Sequence, residues 1–93
     1  MAEISWHLQQ KRERLRNEIL ANLDFLIGSV TTQGVRGGFN LTSAEKGKTR
    51  TKYIRKGMLK DVQAMIARHD HLKRLLKEIS DVNWELLKES SQR

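Results

Sequence analysis

Cysteine and proline are both absent from the 93 residues, and aromatic side chains make up only 5% of them. Without cysteine there can be no disulfide and no thiolate zinc site, so packing alone must hold the fold, and a reducing compartment suits the chain. Without proline the commonest helix breaker is gone, and glycine is left to mark where elements stop. Long apolar runs are missing too. His7, Gln9 and Gln10 interrupt the first stretch, and nothing approaches the roughly 20 apolar residues of a membrane span. The expectation is a soluble, cytoplasmic protein with neither a signal peptide nor a transmembrane helix.

Acidic residues are scarce in one place only. Residues 28–60 carry eight Lys or Arg against a single acid, Glu45, and this segment accounts for the whole formal charge of +7. On either side of it the charges cancel. A positive field focused in this way attracts phosphate more strongly than a diffuse one, so a polyanion is the expected partner of the middle segment.

The flanks read as helices. Leu8, Leu15, Ile19, Leu23 and Leu26 recur at helical spacing, with Arg12, Glu13, Arg14, Arg16 and Glu18 on other faces, which predicts an amphipathic helix over residues 5–27 capped by Gly28. Leu59, Val62, Met65, Ile66, Leu72, Leu75, Leu76, Ile79, Val82, Leu86 and Leu87 predict a second helix over residues 58–89. At 1.5 Å per residue the two would be about 34 and 48 Å long. Joined by a compact insert they can run antiparallel, with Leu26 near Val62, Leu15 near Leu72 and Trp6 near Trp84.

The expected fold class is therefore α+β and mainly α: an antiparallel two-helix coiled-coil hairpin carrying a two- or three-stranded antiparallel β insert, all in one domain of residues 1–93. So short a chain buries a modest fraction of its surface. Leu15, Ile19, Leu26, Val62, Ile66, Leu72, Leu76 and Ile79 are the candidates for core or dimer contacts. Two helices alone leave part of that stripe wet, which predicts a homodimer on a four-helix core. The alternative is an insert that folds back over the stripe.

Between the helices, in an insert of residues 28–55, Val, Thr, Phe, Tyr and Ile alternate with polar residues, and Gly34, Gly37, Gly38 and Gly47 punctuate them, which is strand chemistry. The clearest hairpin joins residues 39–44 to 48–54. A three-residue loop of Glu45, Lys46 and Gly47 would pair Leu41 with Thr51 and Phe39 with Tyr53, leaving Lys48, Arg50 and Lys52 on the opposite, polar face. A two-residue loop would set Lys52 opposite Leu41 on the apolar side, so the longer loop is preferred. Residues 30–33 offer a third, edge strand, and residues 34–38 a loop with Arg36 at its tip.

Lys48, Arg50 and Lys52 at every second position line one side of a strand, and Arg55, Lys56 and Lys60 extend the positive surface to the second helix. With Arg36 and Lys46 they form the candidate nucleic-acid-binding set. Thr42, Thr49 and Thr51 lie among them with hydroxyls suited to phosphate, and Arg36 or Arg50 has the guanidinium best suited to a base edge. Four to six phosphate contacts would give a slope of log K against log salt of about −4 to −5. The plain alternative is a solvated edge blunted by lysine, but a merely solvated surface mixes signs and this one does not. Lys56 and Lys60 oppose the dipole of the second helix, where the N–H groups of Gly57 and Met58 could meet an anion. His69 and His71 are two apart on a helix and point about 200° from each other, so they cannot share a metal. No acid, His or Cys in the insert could activate its hydroxyls. A catalytic site, a metal and a cofactor are accordingly not expected.

Two motifs look familiar. Gly47, Lys48, Thr49, Thr51, Tyr53, Ile54 and Lys56 form a GKT-x-T-x-Y-hydrophobic-x-K strand, and Glu78, Ile79, Asn83, Glu85 and Leu86 an EI-x-x-x-N-x-E-L run late in the long helix. With the Gly28-Ser29-Val30 step, these features resemble a family of small uncharacterised prokaryotic proteins often encoded beside transposases on mobile elements. The resemblance spans about residues 15 to 88. Many members have several cysteines before the hairpin, where this chain reads TTQGVRGGFN, so a metal or thiol role does not carry over. The resemblance implies a helix, hairpin, helix layout and a mobile-element or phage setting, and it brings no activity with it.

The expectation is thus a non-catalytic nucleic-acid-binding protein, DNA ahead of RNA, accessory or regulatory to a mobile element. The alternative is a protein–protein adaptor that recruits a partner through its long helices. A membrane-surface protein fits less well, because the positive charge lies on the insert and not along a helix with a bulky aromatic face.

Overall fold

The computed structural model describes residues 2–33 and 38–91. Five elements follow in order: α1 (Ala2–Ala21), β1 (Ser29–Gln33), β2 (Gly38–Glu45), β3 (Lys48–Ile54) and α2 (Leu59–Ser91). The class is mixed α+β. The chain divides into two compact units, one formed by residues up to Leu23 together with those from His71 onward, the other by Asp24–Asp70.

In the first unit Leu15, only 1% exposed, packs with Leu75 and Val82, and Leu8, Ile19, Ile79 and Leu86 close around them. The spacing explains the choice. Leu8, Leu15 and Ile19 on α1, and Leu75, Ile79, Val82 and Leu86 on α2, step by three, four or seven residues and so stay on one side of each helix. Leu72 is also buried. Its neighbour in the expected seam, Leu76, is 48% exposed, because it points about 100° away from Leu75. The expected Trp6–Trp84 contact does not form. Each indole sits two residues, hence about 200°, from a seam leucine, so it turns outward; Trp6 meets His7 edge-on at 5.1 Å, and Trp84 is exposed.

Helix α1 stops at Ala21, six residues short of the expected end, and Gly28 is not its cap. The Asn22 side-chain amide donates to the Glu18 carbonyl at 2.7 Å, while the Asn22 backbone N–H tightens onto Ile19 at 3.0 Å. The side chain thus takes the carbonyl that the next helical N–H would have used, which ends the α ladder.

In the second unit, the residues released by that stop lie against α2. Leu26 N–H donates to the Met65 carbonyl at 3.2 Å, the Arg68 guanidinium donates to the Asp24 carbonyl, and the Phe25 ring stacks on His69 at 5.2 Å. The three strands form an antiparallel sheet in the order β1-β2-β3, so the third strand expected near residues 30–33 is present. One sheet face supplies Val30, Phe39, Leu41 and Ile54 to a core shared with Leu26 and with Leu59, Val62 and Ile66 of α2. Gly28 enters this sheet at φ +144°, where a Cβ would stand 2.7 Å from the Thr42 carbonyl oxygen. A carbonyl held in a sheet cannot move aside as a flexible side chain can.

Gly28→Ala is therefore expected to cost about 1–3 kcal/mol, and Leu15→Ala about 2–5 kcal/mol. Thermal denaturation followed by circular dichroism measures both; an unchanged midpoint in either variant would contradict the packing described.

Candidate nucleic-acid interface

The hairpin register corrects the expectation. Glu45 pairs with Lys48, Leu41 with Lys52 and Phe39 with Ile54. The loop is the two residues Lys46 and Gly47, both at positive φ, 51° and 78°. Two successive left-handed residues make a type I′ turn, whose twist matches that of the strands it joins. Side chains alternate across a strand, so the preference for the longer loop assigned every side chain of β3 to the wrong face. Burial explains the outcome. In the observed register Ile54 is buried with Leu41 and Val62, whereas the other register would have turned it outward and Tyr53 inward. Lys52 tolerates its place opposite Leu41, because an exposed lysine lays its stem on apolar surface and keeps its ammonium in water.

Lys48, Arg50 and Lys52 consequently share the helix-facing side of the sheet with Val30, Phe39, Leu41 and Ile54. They follow Ile54 toward the turn, and all three are exposed. That face changes along β3 from apolar to cationic. The opposite face carries Thr49, Thr51 and Tyr53 of β3 beside Ala44, Thr42 and Asn40 of β2, with Thr31 of β1 beyond them. No charged side chain stands on it among the described residues. Thr31 and Thr42 share a hydroxyl hydrogen bond at 3.0 Å, and Tyr53 is 63% exposed.

The rest of the cation set sits at the ends of the hairpin. Lys46 occupies the turn; Arg55, Lys56 and Lys60 lie exposed between β3 and the first turn of α2. Arg36 lies outside the described residues. Glu45, the one acid of the segment, has its carboxylate 3.4 Å from Arg50 Nε across the hairpin. Both partners are well exposed, so the pair adds little stability, but it holds the guanidinium beside the strand. The Met58 N–H is unavailable to an anion, because it donates to the Arg55 carbonyl at 2.9 Å, and the Met58 carbonyl in turn accepts from Val62 at 2.9 Å. This point departs from the anion site expected at the start of α2.

The residues expected in one apolar stripe fall into two clusters. Leu26, Val62 and Ile66 belong with the sheet, and Leu15, Ile19 and Ile79 with the helix pair. The longer loop had placed Tyr53 on the apolar face; only the loop length could have corrected this. No helix among the described residues is long and apolar enough to cross a membrane.

The chain matches no protein-family model, no curated protein and no solved structure.

A left-handed lysine is more strained than a left-handed asparagine. Lys46→Asn should raise stability by about 0.5–1 kcal/mol, and Gly47→Ala should lower it by about 1 kcal/mol. Urea denaturation of the two variants tests the turn; the opposite order would contradict it.

Proposed function

We propose that the protein binds nucleic acid, without catalysis, through the cationic hairpin formed by β2 and β3. One observation carries this reading: every described lysine and arginine of the segment is exposed, and the only acid among them already faces Arg50. Lys48, Arg50 and Lys52 are spaced about 6.8 Å apart along one strand, a row that contacts successive phosphates, while Lys46, Arg55, Lys56 and Lys60 widen the field at both ends. Phosphate contacts of this kind supply affinity and orientation, and base contacts supply specificity. An accessory or regulatory role in a mobile element or phage is consistent with the motifs that end in Lys56 and Leu86.

The triple variant Lys48→Glu, Arg50→Glu, Lys52→Glu is expected to abolish binding to labelled oligonucleotides in fluorescence anisotropy while the helical circular dichroism survives. The wild-type affinity should fall with log salt at a slope of about −4 to −5. Retained affinity in the variant, or a flat salt response, would overturn the assignment.

A second feature favours contact through the helices. Leu76, Trp84 and Leu87 lie exposed on α2 beyond the buried seam, and we propose that the seam itself is an antiparallel coiled coil whose outer leucines pair with a second copy of the chain. The same surface serves the adaptor alternative, in which a different protein takes that place. Light scattering should give twice the chain mass for the wild type and the chain mass for Leu76→Glu, Leu87→Glu; a monomer at every concentration excludes the dimer.

A further inference from the structure

We infer that the preferred ligand of the hairpin is single-stranded nucleic acid seated along the open edge of β3, with its phosphates on the lysine side and its bases on the Tyr53 side. This inference rests on the nucleic-acid reading above and narrows it.

The argument starts from the strand order. β3 is an edge strand, and its residues alternate between two chemistries. Lys48, Arg50 and Lys52 project to one side, Thr49, Thr51 and Tyr53 to the other, and all six are exposed. A chain running along this edge meets cations on one flank and a charge-free surface ending in an aromatic ring on the other. A single strand has the same two-sided character, since its phosphates are charged and its unstacked bases offer faces to stack on. A duplex keeps those faces inside the stack, out of reach of Tyr53, and presents phosphates on both flanks of any groove.

An aromatic ring at position 53 is not demanded by the core, because Ile54, its neighbour, fills the core position at the end of β3 and alternation turns residue 53 to the opposite face. Asn40 is the Cα partner of Tyr53 on β2, so a side-chain amide with both a donor and acceptors stands beside the ring, as contact with a base edge requires. The cations also argue against the other occupant of an open edge, an added peptide strand. Lysines along an edge are a device that discourages strand addition, and three of the seven β3 residues are cationic.

The test uses the full chain and two probes of equal length, a fluorescent oligo-dT and a mixed-sequence duplex, titrated over a salt series. The oligo-dT is expected to bind more tightly. Tyr53→Ala and Tyr53→Leu should each weaken oligo-dT binding about tenfold or more, leave the salt slope unchanged, and alter duplex binding little. Tyr53→Phe should stay within about twofold of the wild type. Tyr53→Leu keeps a large apolar side chain, so a loss shared by both variants reports the missing ring and not a damaged sheet. Equal affinity for duplex and single strand, or Tyr53 variants that bind oligo-dT as the wild type does, overturns the inference and leaves the nucleic-acid reading intact. Absence of binding to both probes at low salt overturns both.

Discussion

The type I′ turn at Lys46 and Gly47 is the constraint on which the insert depends. A strand has a side-chain period of two, so a turn one residue longer would exchange the two faces of β3 completely. The observed turn costs about 1–2 kcal/mol for holding a lysine in the left-handed region. In return it brings Ile54 into the core beside Leu41 and Val62, worth about 1.5–3 kcal/mol for a large aliphatic side chain. The same register sets Glu45 opposite Lys48 and next to Arg50. It also places the β3 cations on the face of Leu41 and Ile54 and the β3 threonines beside Thr42 and Ala44.

Around that sheet, structure and charge occupy different residues of the same segment. Val30, Phe39, Leu41 and Ile54 are held by Leu59, Val62 and Ile66, and no described lysine or arginine of the insert belongs to that core. The described cations can therefore change with little loss of packing, since their charged ends stand in solvent. Helix α2 serves two clusters by the same periodic rule, presenting Leu59, Val62 and Ile66 to one and Leu75, Ile79, Val82 and Leu86 to the other. A helix of 33 residues can do this because its two ends are separate surfaces.

Asn22 shows how a single polar side chain can override a periodic pattern. Leu23 and Leu26 continue the helical spacing of α1, yet the amide of Asn22 captures the Glu18 carbonyl and the backbone leaves the helix. The chain then turns Leu26 to the sheet core, where it packs against the cluster of Leu41, Ile54 and Val62 although it is no longer helical. The hydrogen bonds from Leu26 N–H to Met65 and from Arg68 to Asp24 fix that irregular stretch without a regular element.

The sequence by itself determined the order of helix, β insert and helix, the presence of a hairpin, the long second helix and the concentration of positive charge, because these follow from periodicity, glycine position and composition, which are local properties; the choice between two strands and three fell to the folded chain. It also determined which side chains compete for burial. What it left open was decided only in the folded chain: the end of α1, the length of the hairpin loop, the outward turn of Trp6, Leu76 and Trp84, and the face taken by each residue of β3. Each of these depends on a comparison between alternatives of similar local merit, Ile54 against Tyr53 for one core position or an amide against a backbone N–H for one carbonyl. Such comparisons are settled by the partner residue across the core, and no stretch of sequence contains both.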